Sequence, residues 1–285
     1  MGFYLGLAIW GYKNWLGDLF PAGLTAREFL ACYGDRFSVV EGNTTFYAIP
    51  SPETVDRWAA ETPPGFRFCP KLPKSVTHNG LLLPYLEEAV AFGALMEGLG
   101  DRLGPFLMQL PPNYGVNRLA DLQGFLTQWV DRTARPLALE VRHLDWFSEG
   151  CRGDLQDLLR DLGLARAILD TRSIYNATDN PQQYSQNKKP QVPVQPQISA
   201  DFILVRYISH PIWENNLPYL EQWAAWIDRQ LQNNITIYFF MHCPLEDNSP
   251  TNARNFQALL ESKGIPVSPL PWNQIETPPE QLGLF

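Results

Sequence analysis

The sequence predicts an α/β fold, a single-domain (β/α)8 barrel, on three observations. Short apolar stretches alternate with amphipathic ones along the whole chain, the apolar stretches are continuous, and there are eight of them. Continuous apolar strands joined by helices make a parallel sheet covered on both faces. Eight such units in 285 residues suit a closed barrel, which takes about 250 residues. An open doubly wound sheet is the competitor. The turn after the first strand, Trp10-Gly11-Tyr12-Lys13-Asn14-Trp15, lacks the glycines that let a phosphate approach in that fold.

The elements follow in order. Strand Tyr4–Ile9 leads to a helix over Thr25–Tyr33 with Thr25 as its N-cap. Strand Phe37–Val40 precedes a helix over Pro52–Ala60, capped by Ser51, with Pro52 where a missing N–H costs nothing. Phe66–Cys69 is the third strand and Pro84–Leu99 its long helix. Phe106–Leu110, helix Asp121–Arg132 and strand Leu137–Val141 continue the alternation. Leu155–Leu162 is helix and Ala167–Leu169 the sixth strand. Phe202–Val205, helix Leu217–Leu231, strand Ile235–Phe240 and helix Asn252–Ser262 complete the count, read as eight strands each followed by a helix.

Composition narrows the function classes. A net charge of -8 and a pI near 5.0 argue against a nucleic-acid footprint over the body, though not against a local basic cleft. Cys32, Cys69, Cys151 and Cys243 form no CxxC pair and read as reduced thiols of a cytoplasmic protein. Met1–Tyr12 lacks a basic leader and reads as a strand, not a signal peptide. No apolar run reaches the roughly 20 residues that cross a bilayer, so no membrane partner is expected.

The strand ends carry the chemistry. Strand two runs into Glu41-Gly42-Asn43, strand three into Lys71, and strand four carries Gln109. Strand five ends in Glu140, Arg142 and His143, strand six in Asp170, strand seven in Arg206 and strand eight in His242. Polar residues at the C-terminal ends of barrel strands are where active sites are built. Period two puts Glu41 with Asn43, Glu140 with Arg142, and Cys69 with Lys71. Glu41 and Glu140, three strands apart, either converge as an acid–base pair or are neutralised by Arg142 and Lys71. Candidate catalytic residues are thus Glu41, Lys71, Glu140, Asp170 and His242, with Asn43, Gln109, Arg142, His143 and Arg206 binding substrate.

Trp10, Tyr12, Trp15, Phe46, Tyr47, Trp146 and Phe147 crowd the same rim. Trp10 and Tyr47 are candidates for stacking on a ring, against the alternative of packing under loops. Glu41, Glu140, His143, Asp170 and His242 include divalent-metal ligand types, but no tight His spacing supports a metal and the arginines compete for the carboxylates. No nucleotide-cofactor motif is present, so no cofactor is assigned.

Two segments interrupt the pattern. Residues 180–197, rich in Gln, Asn, Pro and Lys, cannot pack a core and sit between strands six and seven as a lid or a disordered insertion. Beyond the barrel of residues 1–271, the tail of residues 272–285 ends in Gln281-Leu282-Gly283-Leu284-Phe285. This run resembles the short C-terminal motif by which bacterial replication and repair proteins dock on the sliding clamp, with Gln281, Leu282, Leu284 and Phe285 as the docking residues.

Val40-Glu41-Gly42-Asn43-Thr44-Thr45-Phe46-Tyr47, followed by Phe66-Arg67-Phe68-Cys69-Pro70-Lys71, resembles the YecE-like branch of domain-of-unknown-function family 72. Leu139-Glu140-Val141-Arg142-His143, Leu169-Asp170-Thr171-Arg172, Lys188-Lys189-Pro190-Gln191-Val192-Pro193 and Val205-Arg206-Tyr207-Ile208 match in order. The resemblance implies a TIM-type barrel and carries the family's motif positions onto Glu41, Asn43, Lys71, Glu140, Arg142 and Asp170. More distant members have a His-Gly pair after strand seven, whereas this chain has Ser209-His210, which puts a role for His210 in doubt. The Lys-Lys-Pro match favours a lid for residues 180–197. The resemblance implies no reaction. What the residues support is an enzyme for a small polar, anionic or ring-containing substrate. The alternatives are a DNA-metabolism accessory tethered to the clamp and a divalent-metal hydrolase or isomerase.

Overall fold

The computed structural model describes residues 2–184 and 188–274. Its strands are β1 (Phe3–Leu7), β2 (Val39–Gly42), β3 (Arg67–Pro70), β4 (Phe106–Gln109), β5 (Leu137–Glu140), β6 (Ala165–Asp170), β7 (Phe202–Ile208) and β8 (Thr236–His242). They form one parallel sheet in the order β3-β2-β1-β8-β7-β6-β5-β4. The ends of that order meet through bridges from Phe68 to Leu103 and from Lys71 to Leu107. The chain is the expected barrel, nearly closed, with β3 against β4 as its thinnest seam.

The helices are α1 (Phe29–Gly34), α2 (Thr44–Tyr47), α3 (Pro52–Glu61), α4 (Lys74–Thr77), α5 (Leu86–Met96), α6 (Leu119–Thr133), α7 (Glu149–Asp161), α8 (Arg172–Tyr175), α9 (Leu217–Gln232) and α10 (Ser249–Ser262). Their apolar faces bury Trp129, Leu155, Trp223 and Phe256 in the layer outside the sheet. α3 begins as its sequence dictates, with Ser51 Oγ accepting the Thr54 N–H at 3.3 Å and Pro52 in the first turn.

Inside the barrel, strand alternation sorts residues into layers. Val39, Cys69, Leu107, Ala138, Ala167, Leu204 and Phe240 make an apolar layer. Two residues further along six of these strands come Glu41, Lys71, Gln109, Glu140, Arg206 and His242, all buried. On β6 the equivalent position is Leu169, which is apolar. The apolar floor excludes water beneath this polar layer, so every charge in it must be met by another protein group or by a ligand. β1 contributes closeness: a Cβ on Gly6 would lie 1.9 Å from Val39 O. The buried Tyr33 hydroxyl links the same two strands, accepting from Leu7 N–H at 2.8 Å and donating to Val39 O at 2.9 Å.

Several elements differ from expectation. α1 starts at Phe29, and Thr25 is no N-cap; its N–H and hydroxyl both donate to Glu28 Oε2, at 2.9 and 2.7 Å. The helix expected over Pro84–Leu99 is divided between a 3-10 turn, α5 and a second 3-10 stretch containing Gly100 at φ 57°. Among the described residues, the sixth crossover holds the one-turn α8 and a short 3-10 turn before an extended run to β7, in place of the full helix expected after each strand. Residues 188–197 do contribute to packing: Val192 is buried with Leu169, Ile174 and Ile208. Tyr175 Oη donates to Lys189 O at 2.7 Å and Thr171 Oγ1 to Pro190 O at 3.3 Å. Pro190, Pro193 and Pro196 hold this strap extended without needing a ladder of N–H donors. Trp272, expected to open the tail, packs on Phe37 with ring centroids 5.8 Å apart. Gln281, Leu282, Leu284 and Phe285 lie outside the described residues.

Candidate active site

The polar layer is one continuous hydrogen-bonded chain with Arg206 at its centre. Arg206 Nε and Nη2 donate to Glu41 Oε2 and Oε1 at 2.7 and 2.8 Å, and Nη1 donates to Glu140 Oε2 at 2.6 Å. Arg142 Nε donates to Glu140 Oε1 at 2.6 Å, and its Nη2 to Gln109 Oε1 at 2.7 Å. Lys71 Nζ donates to the same Gln109 oxygen at 2.9 Å and sits 4.0 Å from the Phe46 ring centroid. At the other end, His242 Nε2 is 3.1 Å from Glu41 Oε2.

Electrostatics assigns protonation along this chain. Burial is the largest single influence and raises both glutamates, but it is outweighed by Arg206 together with His242 at Glu41 and by Arg206 together with Arg142 and Lys71 at Glu140. Glu41 is held well below the usual carboxylate range and Glu140 at about 2. Both are therefore ionised and paired with guanidinium groups, which leaves neither free to act as an acid or base. Burial brings His242 down to about 4, so its ring is neutral near pH 7. A neutral ring facing a carboxylate carries its proton on Nε2 and leaves Nδ1 unprotonated. Burial, reinforced by Arg206, also drives Lys71 well below the usual lysine range.

Above this layer, between the ends of β1, β2, β7 and β8, is a cavity of about 230 Å³. His242, Asn43, Lys189 of the strap and Glu246 line it. Asn43 is fixed by its Nδ2–H donating to Ala8 O at 3.1 Å. Burial and the charges of Arg206 and Arg142 bring Lys189 down to about 8. Burial pushes the Glu246 carboxyl up to about 8, against the pull of Ser249 and Lys189. Its Oε1 is buried with no hydrogen-bond partner among the described residues. A larger hollow of about 330 Å³ lies at the N-terminal end of the barrel, but no carboxylate, imidazole or amine lines it.

The structure thus brings together Glu41, Asn43, Lys71, Gln109, Glu140, Arg142, Arg206 and His242. Asp170 stands elsewhere. It faces the helical layer, accepting from Arg172 Nη2 and Trp223 Nε1, both at 2.8 Å. His143 also points away, its Nδ1 accepting Asp145 N–H at 3.3 Å at the start of a 3-10 turn. Trp10 packs edge-on against Trp58, 5.1 Å between centroids, and Tyr47 is 73% exposed. Trp15 and Trp146 are buried packing residues. His210 is buried, with Nδ1 accepting the Ile212 N–H at 3.0 Å. Among the described residues, no group of three His, Cys, Asp or Glu side chains converges to hold a metal ion. Glu246 is the residue that the sequence reading missed, and Lys189 entered it only as part of a loop. Glu246 lies four residues past His242, beyond the strand end; the residue is half-buried, and the burial of its carboxyl depends on distant parts of the chain, including Trp15 Nε1 donating to Glu246 O at 3.0 Å.

The four cysteines are free thiols. No helix among the described residues is long and apolar enough to cross a membrane. The chain is similar to the UPF0759 protein YecE of Escherichia coli K12, with 33% identity over 246 residues, covering 85% of this chain and 86% of that protein. It is similar to the UPF0759 protein YunF of Bacillus subtilis 168 at 27% identity over 60% of this chain and 61% of that one. A solved DUF72 family protein from Thermotoga maritima superposes with a TM-score of 0.68 at 21% identity, over 92% of this chain and all of that one. One from Enterococcus faecalis gives 0.67 at 19%, over 91% of this chain and 98% of that one. The model of the family described as "Protein of unknown function DUF72" matches residues 4–275, and the chain belongs to that family.

Proposed function

We propose that this barrel is an enzyme acting on a small anionic substrate, a phosphate or carboxylate compound, bound above the polar layer. The observation that carries the reading is a charge imbalance in a water-poor site. Among the described residues, Lys71, Arg142, Lys189 and Arg206 face two ionised carboxylates, Glu41 and Glu140. Even a neutral Lys71 leaves cations in excess, and a substrate anion would complete the balance. In this reading Lys189 and Asn43 bind and orient the anion. His242 Nδ1 accepts a proton and Glu246 supplies one, since the two are held in opposite protonation states near neutral pH. Arg206, Glu41 and Glu140 form the rigid support. A thermal-shift screen of phosphorylated and carboxylate metabolites tests it. At least one should stabilise the wild type, with a loss of tenfold or more in affinity for Lys189→Met. A panel that stabilises neither protein, or both equally, removes the reading.

A second reading concerns the tail. Its support is the terminal Gln-Leu-Gly-Leu-Phe run and the point where the described chain ends. Trp272 N–H donates to Arg36 O, just before β2, at 3.2 Å. This is the barrel end opposite the cavity. Docking on a bacterial sliding clamp predicts micromolar binding of the terminal peptide by fluorescence anisotropy. Equal signals from Gln281→Ala and from a peptide lacking Leu284 and Phe285 would count against it.

A further inference from the structure

Arg166 lies on β6 among residues that otherwise alternate between barrel and helical layer. Ala165, Ala167 and Leu169 face the axis, which turns Arg166 outward beneath the strap. The residue is only 2% exposed, and its guanidinium carbon lies 5.0 Å from the Phe147 ring centroid. Both Nη1 and Nη2 are buried with no hydrogen-bond partner among the described residues. Among the described residues no carboxylate is paired with it, and the charge that acts on it is that of Arg152, which has the same sign.

A buried guanidinium with neither counter-charge nor acceptor is among the least favourable groups a core can contain. The ring of Phe147 offers a weak cation–π contact and no acceptor for the two free N–H ends. The group borders a small internal space of about 10 Å³, with Phe147, Val192, Pro193 and Gln195 around it. The opening fits one small particle. A water could accept from Nη1 or Nη2 and donate to the unpartnered Oε1 of Gln195, yet it leaves the charge unbalanced. A monovalent anion answers both needs, and the size of the space restricts it to halide dimensions.

We infer that Arg166 holds a small inorganic anion of the halide class, enclosed between β6 and the strap at Val192 and Pro193. This site is separate from the cavity under Lys189, and it does not depend on the proposed activity. It does touch the same strap, three residues beyond Lys189. An anion on Arg166 therefore fastens the segment that carries Lys189 over the candidate active site.

The test compares melting of the full chain in chloride and in gluconate at equal ionic strength, for wild type and for Arg166→Met. Wild type should rise by about 3 °C per tenfold excess of chloride over half-saturation, and Arg166→Met should not respond. Trypsin cleavage after the exposed Lys188 should slow with chloride in wild type alone. If Arg166→Met does not fold, wild-type crystals in bromide decide, with an anomalous peak expected at the guanidinium. Identical melting of wild type in chloride and gluconate, an equal chloride response in Arg166→Met, or no bromide peak there overturns the inference.

Discussion

Replacing Arg206 by methionine keeps most of the side-chain volume and removes the charge that joins Glu41 to Glu140. Among the described residues, Glu41 then keeps the His242 contact at 3.1 Å, and Glu140 keeps Arg142 at 2.6 Å. Breaking a buried ion pair by deleting one partner costs about 3–5 kcal/mol. The protonation of Glu140 gives a similar figure. Its carboxyl, held at about 2 instead of 4.5, corresponds to about 3 kcal/mol of differential stabilisation. The sign follows from the depressed value: the contribution is present above the ordinary carboxylate pKa and lost as pH falls through the folded value. In the variant both carboxyls move above their ordinary values, so their ionisation opposes folding at neutral pH and the penalty shrinks on acidification. Urea and thermal unfolding between about pH 5 and pH 8 should show the variant melting roughly 6–12 °C below wild type at pH 8. The gap should narrow toward pH 5. Adding Glu41→Gln and Glu140→Gln should recover much of the loss. A variant within about 2 °C of wild type, or with an unchanged pH profile, would refute a desolvated network centred on Arg206.

Gly6→Ala should cost several kcal/mol, because its Cβ would meet Val39 O at 1.9 Å and force β1 from β2; a folded variant with wild-type melting contradicts the packing. Asp170→Ala should destabilise by about 2–4 kcal/mol by leaving the buried Trp223 Nε1 without its acceptor and removing the ion pair from Arg172, which keeps Gln222. It should leave the affinity for any ligand found in the screen unchanged, as measured by titration calorimetry. Glu246→Gln should stabilise the protein near pH 9 and have little effect near pH 5. The raised carboxyl opposes folding progressively as pH climbs from its ordinary value through about 8. After allowance for partial exposure the gain is about 2 kcal/mol, read from denaturant midpoints.

The barrel was legible because its strands are continuous apolar runs separated by amphipathic helices, a pattern that needs no tertiary information. Glu41, Glu140, Arg142 and Arg206 were legible for a related reason, since polar residues ending apolar strands stand out. Parity carried more than was taken from it. Reading β6 as Ala165, Ala167, Leu169 on one face puts Asp170 among the helices, and the same alternation on β5 separates His143 from Arg142. Glu246 had no local signal, because burial and the surrounding charges set its protonation, and these come from the strap and from Trp15. Val192 was hidden by the polar composition around it, although one valine between prolines is enough to anchor an extended segment. Arg166 was passed over by starting β6 at Ala167, and a charge inside a strand covered on both faces is itself a signal.

The central claim is a division of labour: Arg206 and its two glutamates are ionised support, while Glu246 and His242 are the groups available for proton transfer. Difference infrared spectroscopy of wild type against Glu246→Gln measures this without knowledge of the substrate. At about pH 7 the wild type should show a protonated carboxyl band that is absent from Glu246→Gln and disappears with a midpoint near 8. Glu41→Gln and Glu140→Gln should remove no such band. A Glu246 that is ionised throughout the neutral range, with the protonated carboxyl belonging to Glu41 or Glu140, would contradict the account.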